Sequence, residues 1–413
     1  MTEVKLKDIL DKKHALYQLA DRLNWDHLIE GFGPYYSEGP GRPEVPIRII
    51  VGLHYLKYLE NESDESVVEK FCENPYWQYF CGLETFQHKL PCHPTTLVKW
   101  RKRVGEKGVE KLLSHTIDTA KREALLPDKL LTKVNVDTTV QEKSITFPTD
   151  TKLCHRMRIK LVLATKHRGL KLRQTYVRLG KRASIMQGHY AHAGQMKRAR
   201  KEFKKVKSYL GRVTREICRK IDLSKEAELL FLVSQAEQLL KQEKNTPRKL
   251  YSLPAPEVEC IAKGKAHKRY EFGCKVSVVT TCEEPWVLSV IAHHGNPYDG
   301  ATLKECLNKA EENSKNKIEY AFADKGYRGK EHHPEDIKVF ISGKKNLPSH
   351  FKKLLKGRSG IEPIIGHLKQ DHRLSRNYLL GKVGDKINAI LSGCAFNLGK
   401  IMRLMVIEKN CLA

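Results

Sequence analysis

Three acidic residues, Asp137, Asp324 and Glu362, stand where neighbouring elements could turn them towards one point. Carboxylates are hard oxygen donors, and three converging ones suit magnesium, which keeps several waters and needs few protein ligands. Breaking or transferring a phosphodiester requires an activated oxygen nucleophile and charge compensation at phosphorus. Two divalent cations roughly 3.5–4 Å apart supply both. Each acid also has a plainer reading. Asp137, before two threonines, could be a strand-end turn residue, and Asp324, before Lys325, Gly326, Tyr327 and Arg328, could close a turn. Ser359, Gly360, Ile361 and Glu362 spell a capping box, in which the glutamate only satisfies a backbone N–H. Pro363 confines the helix start to the same spot.

The elements that must position these acids follow from periodicity. In KVNVDTTVQ (133–141), Val134 and Val136 alternate with Asn135 and Asp137, a strand pattern that sets Asp137 on the face opposite the valines. The β-branched runs 270–281 and 285–295, divided by Cys282, Glu283 and Glu284, read as a hairpin. Asp299 and Gly300 open a helix, ATLKECLNKAEEN. IEYAFAD (318–324) is a strand ending on Asp324, and IKVFIS (337–342) is another. RSGIEPIIGHLKQDHRL is an amphipathic helix with Ile361, Ile364 and Leu368 on the stripe that would hold it to a sheet. At 100° per residue, Arg358, Glu362 and Lys369 fall within about 40° of one another. A carboxylate flanked by two cations suits a place where metal and phosphate meet. The mixed block therefore runs strand, helical insertion, strand, strand, helix, strand, strand, helix.

Charge points to the partner. Seventy-five Lys and Arg stand against 48 Asp and Glu, a net +27 in 413 residues. Such an excess implies a polyanion, and nucleic acid fits better than a membrane surface. The apolar stretch 389–407 is interrupted by Lys400 and Arg403, and the N-terminus lacks the apolar core of a secretory signal. The window 152–249 holds 27 Lys and Arg and 7 Asp and Glu, so +20 of the +27 sits there. Within it, Phe203, Val206, Leu210, Val213 and Ile217 recur at helical spacing with cations between them, including Lys197, Arg198, Lys204 and Lys205. A phosphate-tracking face is the expectation. Eleven cysteines without a C-x-x-C pair fit a reducing cytoplasm.

The first 126 residues read as helices. Ile47–Leu59 is apolar nearly all round, Ser63 and Asp64 can cap the next helix, and HPTTLVKWRKRVG starts near Pro94 and ends at Gly105. Short helices leading to a basic one suggest a helix-turn-helix-like unit. Thr95, Thr96, Lys99, Arg101, Lys102 and Arg103 would then touch phosphates or bases.

Taken together, VDTTV, YEFGCKVSVVT, GNPYDGATL, ADKGYRG and the R-x3-E-x6-K set of Arg358, Glu362 and Lys369 resemble bacterial insertion-sequence DDE transposases of the insertion-sequence-five family. The resemblance covers nearly the whole chain. It implies an α/β chain: an RNase H-like mixed-sheet catalytic domain at 127–413, with a basic helical insertion at about 152–250, after an all-α DNA-binding domain at 1–126. It implies Asp137, Asp324 and Glu362 as the metal-binding triad for two Mg2+ ions, with Mn2+ as substitute, and Arg358 and Lys369 as DNA contacts. Related families often carry tyrosine three residues before that arginine. Leu355 stands there in this chain, and Tyr327 and Arg328 are candidates to cover part of its role. The implied activity is DNA transposition: a homodimer on double-stranded DNA cuts the element ends and joins them to a target, in the bacterial cytoplasm at the nucleoid. His293, His294, His332, His333, His367 and His372 are expected at the surface or facing DNA, since magnesium does not need them.

Overall fold

A computed structural model describes residues 4–36, 44–222, 224, 226–262, 269–343 and 347–412, with side chains described as far as 405. The chain opens with helices α1 (Leu6–Ile9), α2 (Ala15–Arg22), α3 (Trp25–Phe32), α4 (Ile47–Leu59), α5 (Asp64–Phe71), α6 (Pro75–Phe80) and α7 (Pro94–Arg122), then strand β1 (Lys133–Lys143). Next come α8 (Asp150–His167), α9 (Val177–His192), α10 (Met196–Lys220), α11 (Ala227–Lys241) and β2 (Glu259–Ile261). The rest alternates: β3 (Glu271–Thr281), β4 (Val287–His293), α12 (Leu303–Ser314), β5 (Tyr320–Ala323), β6 (Lys338–Ile341), α13 (Ser349–Gly357), α14 (Ile361–Gln370), β7 (Arg376–Asn377) and α15 (Gly381–Leu412).

Packing groups residues Met1–Glu142 with Cys274–Ala413, and Lys143–Gly273 by themselves. In the first unit a mixed sheet runs β3–β1–β5–β6, with β4 antiparallel on β3 and β7 on β1; β1, β5 and β6 are parallel. Apolar side chains cover both faces. Val134, Val136, Leu288 and Ala321 join the helices of residues 1–126 in one core, so those helices and the sheet are not separately packed. On the other side Val276, Val278 and Val290 meet Ile361, Ile364 and Leu368 of α14, as the apolar stripe predicted. The second unit has its own core, in which Val206, Leu210, Val213 and Ile217 of α10 are fully buried and Phe203 partly so.

Local sequence explains the N-terminal helices. Ser63 and Ser66 form a reciprocal capping box for α5, and Asn74 with Pro75 starts α6. Gly105, at φ 65°, breaks the regular geometry of α7 where the sequence predicted an end. Three residues join α5 to α6, but the thirteen from Cys81 to His93 separate α6 from the basic helix. The tight turn of a helix-turn-helix therefore does not lead into α7. Among the described residues no helix is long and apolar enough to cross a membrane.

Candidate functional site

Asp137 and Asp324 come from adjacent parallel strands. The ladder pairs Asn135 with Phe322, and each aspartate lies two residues further on. Continued by two residues, that register would bring the two alongside one another, just past the carboxyl end of β5. Asp137 is 17% exposed, and one of its oxygens accepts from the Thr138 N–H at 2.7 Å. Asp324 Oδ1 accepts from Gly326 N at 2.7 Å, so it does make the turn that the plainer reading gave it.

Glu362 opens α14 but is not used as a cap. The helix begins after Gly360 with no side-chain cap, and the Ser359 hydroxyl turns back to the Lys356 carbonyl. Glu362 instead lies 3.8 Å from Arg358 Nη2, while Arg358 Nη1 lies 3.4 Å from Asp137 Oδ2. Arg358 sits in the 3-10 turn before α14, so one guanidinium spans the first and third acids. The Glu362 side chain is 64% exposed.

The fold adds a fourth acid that sequence reasoning used only as a helix start. A Cβ placed on Gly326 would lie 2.9 Å from Asp324 Oδ1 and 3.1 Å from Asp299 Oδ2, so both carboxylates crowd this glycine. Lys275, almost buried, reaches Asp299 Oδ1 at 2.8 Å and donates to the Pro297 carbonyl at 2.5 Å. GNPYDGATL held the signal, but only folding shows that its aspartate meets the one in ADKGYRG. Tyr327, expected at DNA, is instead fully buried, and its hydroxyl has no hydrogen-bond partner among the described residues. Burial first, and then the negative charges of Asp137, Asp299 and Asp324, push that hydroxyl far above its ordinary pKa, so it remains a donor.

The donors are all hard oxygens, which fits magnesium or manganese rather than a thiolate or imidazole site. Among the described residues no group of three or more His, Cys, Asp or Glu is drawn close enough to hold an ion together. The aspartates are donors of the type the implied metal takes, and Arg358 lies between Asp137 and Glu362.

The expected DNA contacts divide. Arg328 is exposed, and Lys369 is half-buried in the last turn of α14. Thr95, Lys99 and Lys102 are exposed on α7, with Thr96 half-buried beside them, and the Thr95 hydroxyl bonds His93. Arg101 corrects the expectation: it is 4% exposed and gripped by both Asp64 oxygens at 2.8 and 2.6 Å, which makes it an internal tie. Arg103 pairs with Glu44 at 2.9 Å and lies over the Tyr36 ring. On α10, Lys197, Arg198, Lys204 and Lys205 are exposed, Lys205 pairing with Glu202 and Arg198 with Gln195. Two histidines expected outside are buried: His293, bonded to Ser277, and His372, bonded to the Tyr58 carbonyl. Leu355 packs against the Phe322, Phe340 and Leu347 cluster, an apolar environment that suits leucine.

Residues 4–103 match the family described as transposase domain (DUF772), and residues 238–338 match the transposase DDE domain. The second match includes Asp299 and Asp324. A protein of Rhizobium meliloti, described as uncharacterized protein ORF8 in the nfe locus, is 45% identical over 191 residues, covering 46% of this chain and 92% of that protein. No solved structure matches the chain.

Proposed function

Because the chain belongs to the transposases that carry a DDE domain, we propose that it cuts double-stranded DNA at the ends of an insertion sequence and joins those ends to a target, using Asp137, Asp324 and Glu362. The observation that supports this reading is the parallel register of β1 and β5, beyond whose last pair, Asn135 with Phe322, each aspartate lies two residues on. The sheet order, an antiparallel hairpin beside β1 and two parallel strands beyond it, supports an RNase H-like catalytic fold.

Asp137 and Asp324 would hold divalent ions, two Mg2+ with Mn2+ as substitute, and Glu362 would complete the set once it leaves Arg358. Bound there, the ions would supply activation of the oxygen nucleophile and charge compensation at phosphorus. The chain's own residues do the rest. Arg358, with two guanidinium edges at the acids, can release a carboxylate and take a phosphate oxygen, a bidentate exchange that lysine could not match. In cutting, water bonds to phosphorus and the ester bond to the 3′ oxygen breaks, leaving a 3′-hydroxyl. In joining, that hydroxyl bonds to a target phosphorus and displaces the target's own 3′ oxygen. Lys369 and Arg328 would hold DNA near the acids. Thr95, Thr96, Lys99 and Lys102 on α7, and Lys197, Arg198, Lys204 and Lys205 on α10, would track the backbone. The working form is a homodimer on DNA in the bacterial cytoplasm.

A supercoiled plasmid carrying the DNA that flanks this gene tests the proposal. Incubation with Mg2+ should give breaks at inverted repeats and joined products. Breaks without joined products would reduce the activity to a nuclease, and no change in the plasmid would contradict the proposal.

A further inference from the structure

Residues 143–273 carry a surface that is shaped as well as charged. A groove of about 410 Å³ runs between the loop 144–148, one side of α8 and the segment 251–254, all within that unit. Lys152, Arg156 and Lys160 line it. They recur every four residues, so they follow one another along one helix face. Among the described residues none of the three pairs with an acid, and no acid lines the groove. Asp150, the one acid of α8, is taken by Lys249 and Gln242. Phe147, Tyr251 and Ile159 stand in the same groove. Phe147 is 65% exposed, although Phe272 meets it edge-on with ring centroids 5.4 Å apart. Tyr251 packs against Phe272 at 5.4 Å as well. The Phe147 ring is thus held while much of it stays open. Cations alone would serve any phosphate; an open ring beside them suits a flat base carried on a phosphate chain. Duplex DNA hides its base faces in the stack, so an unpaired strand is the form that offers both.

We propose that this groove binds an unpaired DNA strand, with a base laid on the Phe147 ring and the neighbouring phosphates along Lys152, Arg156 and Lys160. This rests on DNA being the partner, as in the proposed function, and gives the form of DNA that this surface takes. The exposed cations of α10 serve duplex and single strand alike, whereas the ring selects between them.

Fluorescence anisotropy of the full chain tests it, in EDTA so that no cleavage intervenes. The two probes are a labelled oligothymidine of about 12 nucleotides and a duplex of the DNA that flanks this gene. Phe147→Leu keeps an apolar contact for Phe272 and removes the stacking face. Its affinity for the single strand should fall about 5- to 100-fold, with duplex affinity unchanged. Phe147→Trp should bind the single strand at least as tightly as wild type, which separates loss of the ring from loss of folding. Alanine at Lys152, Arg156 and Lys160 should flatten the salt dependence of single-strand binding by about 0.7 for each phosphate no longer neutralised. Wild-type affinity of Phe147→Leu for the single strand, or an equal loss on the duplex, would overturn the proposal and leave DNA as the partner. If the wild-type chain binds neither probe, this proposal and DNA as the partner both fall.

Discussion

Among single residues, the acids differ in how far the sequence could place them. Strand periodicity set Asp137 opposite Val134 and Val136, and both valines are buried. That Asp324 would lie beside it depended on β5 pairing with β1 across a long insertion, which no local pattern encodes. Asp299 was hidden for the same reason: its partner across Gly326 is brought there only by the fold. The capping-box reading of Glu362, sound from spacing, fails because Gly360 rather than Ser359 precedes the helix. Gly326 offers the sharpest test of this local geometry. Gly326→Ala would put a methyl 2.9 Å from Asp324 Oδ1 and 3.1 Å from Asp299 Oδ2, so the carboxylates must part. DNA cleavage should fall about 10- to 100-fold, as when a ligand's support is removed, with little change in melting temperature. Cleavage at the wild-type rate would show that the two carboxylates need not stay together.

For the elements, the basic segments divide into ties and surfaces. Lys57 on α4, Asp64 at the start of α5 and Arg101 on α7 meet almost out of water. Burial raises the Asp64 carboxyl, but Arg101 and Lys57 more than reverse this and hold it well below the usual range. Asp64→Asn would leave two buried cations unmatched and should cost about 3–5 kcal/mol in urea unfolding. A destabilisation under ~1 kcal/mol would mean the tie behaves as a surface pair. Composition alone could not separate Arg101 from Lys99 and Lys102, because burial follows from which face of α7 meets α5. The α10 helix is the opposite case, since its apolar spacing predicted the buried stripe and left Lys197, Arg198, Lys204 and Lys205 outside. Replacing these four with alanine should flatten the salt dependence of DNA affinity by about 0.9 for each phosphate no longer neutralised. An unchanged slope would take α10 out of the interface.

For the whole molecule, alternation and punctuation made most strands and helices legible, whereas the sharing of one core between residues 1–126 and the sheet was not. The apolar positions of α4 and α7 show that they are buried, not against what. That core also encloses titratable rings. Burial, then the Arg101 charge, pushes His54 down to about 3, and burial lowers His115 to about 4, against an ordinary value of 6.5. Between pH 6.5 and 4 the unfolded chain binds protons that these folded rings refuse, so stability should fall as pH drops through this window. Denaturant midpoints measured from pH 7 to pH 4 check this, and His115→Gln should reduce the slope. Whether Asp137, Asp324 and Glu362 act as one metal-dependent centre is decided by Mg2+-dependent cleavage of the flanking DNA. The comparison is wild type against Asp137→Asn, Asp324→Asn and Glu362→Gln at equal DNA occupancy. Each variant should still bind DNA and lose cleavage, and wild-type cleavage by any one of the three would show that they do not form one centre.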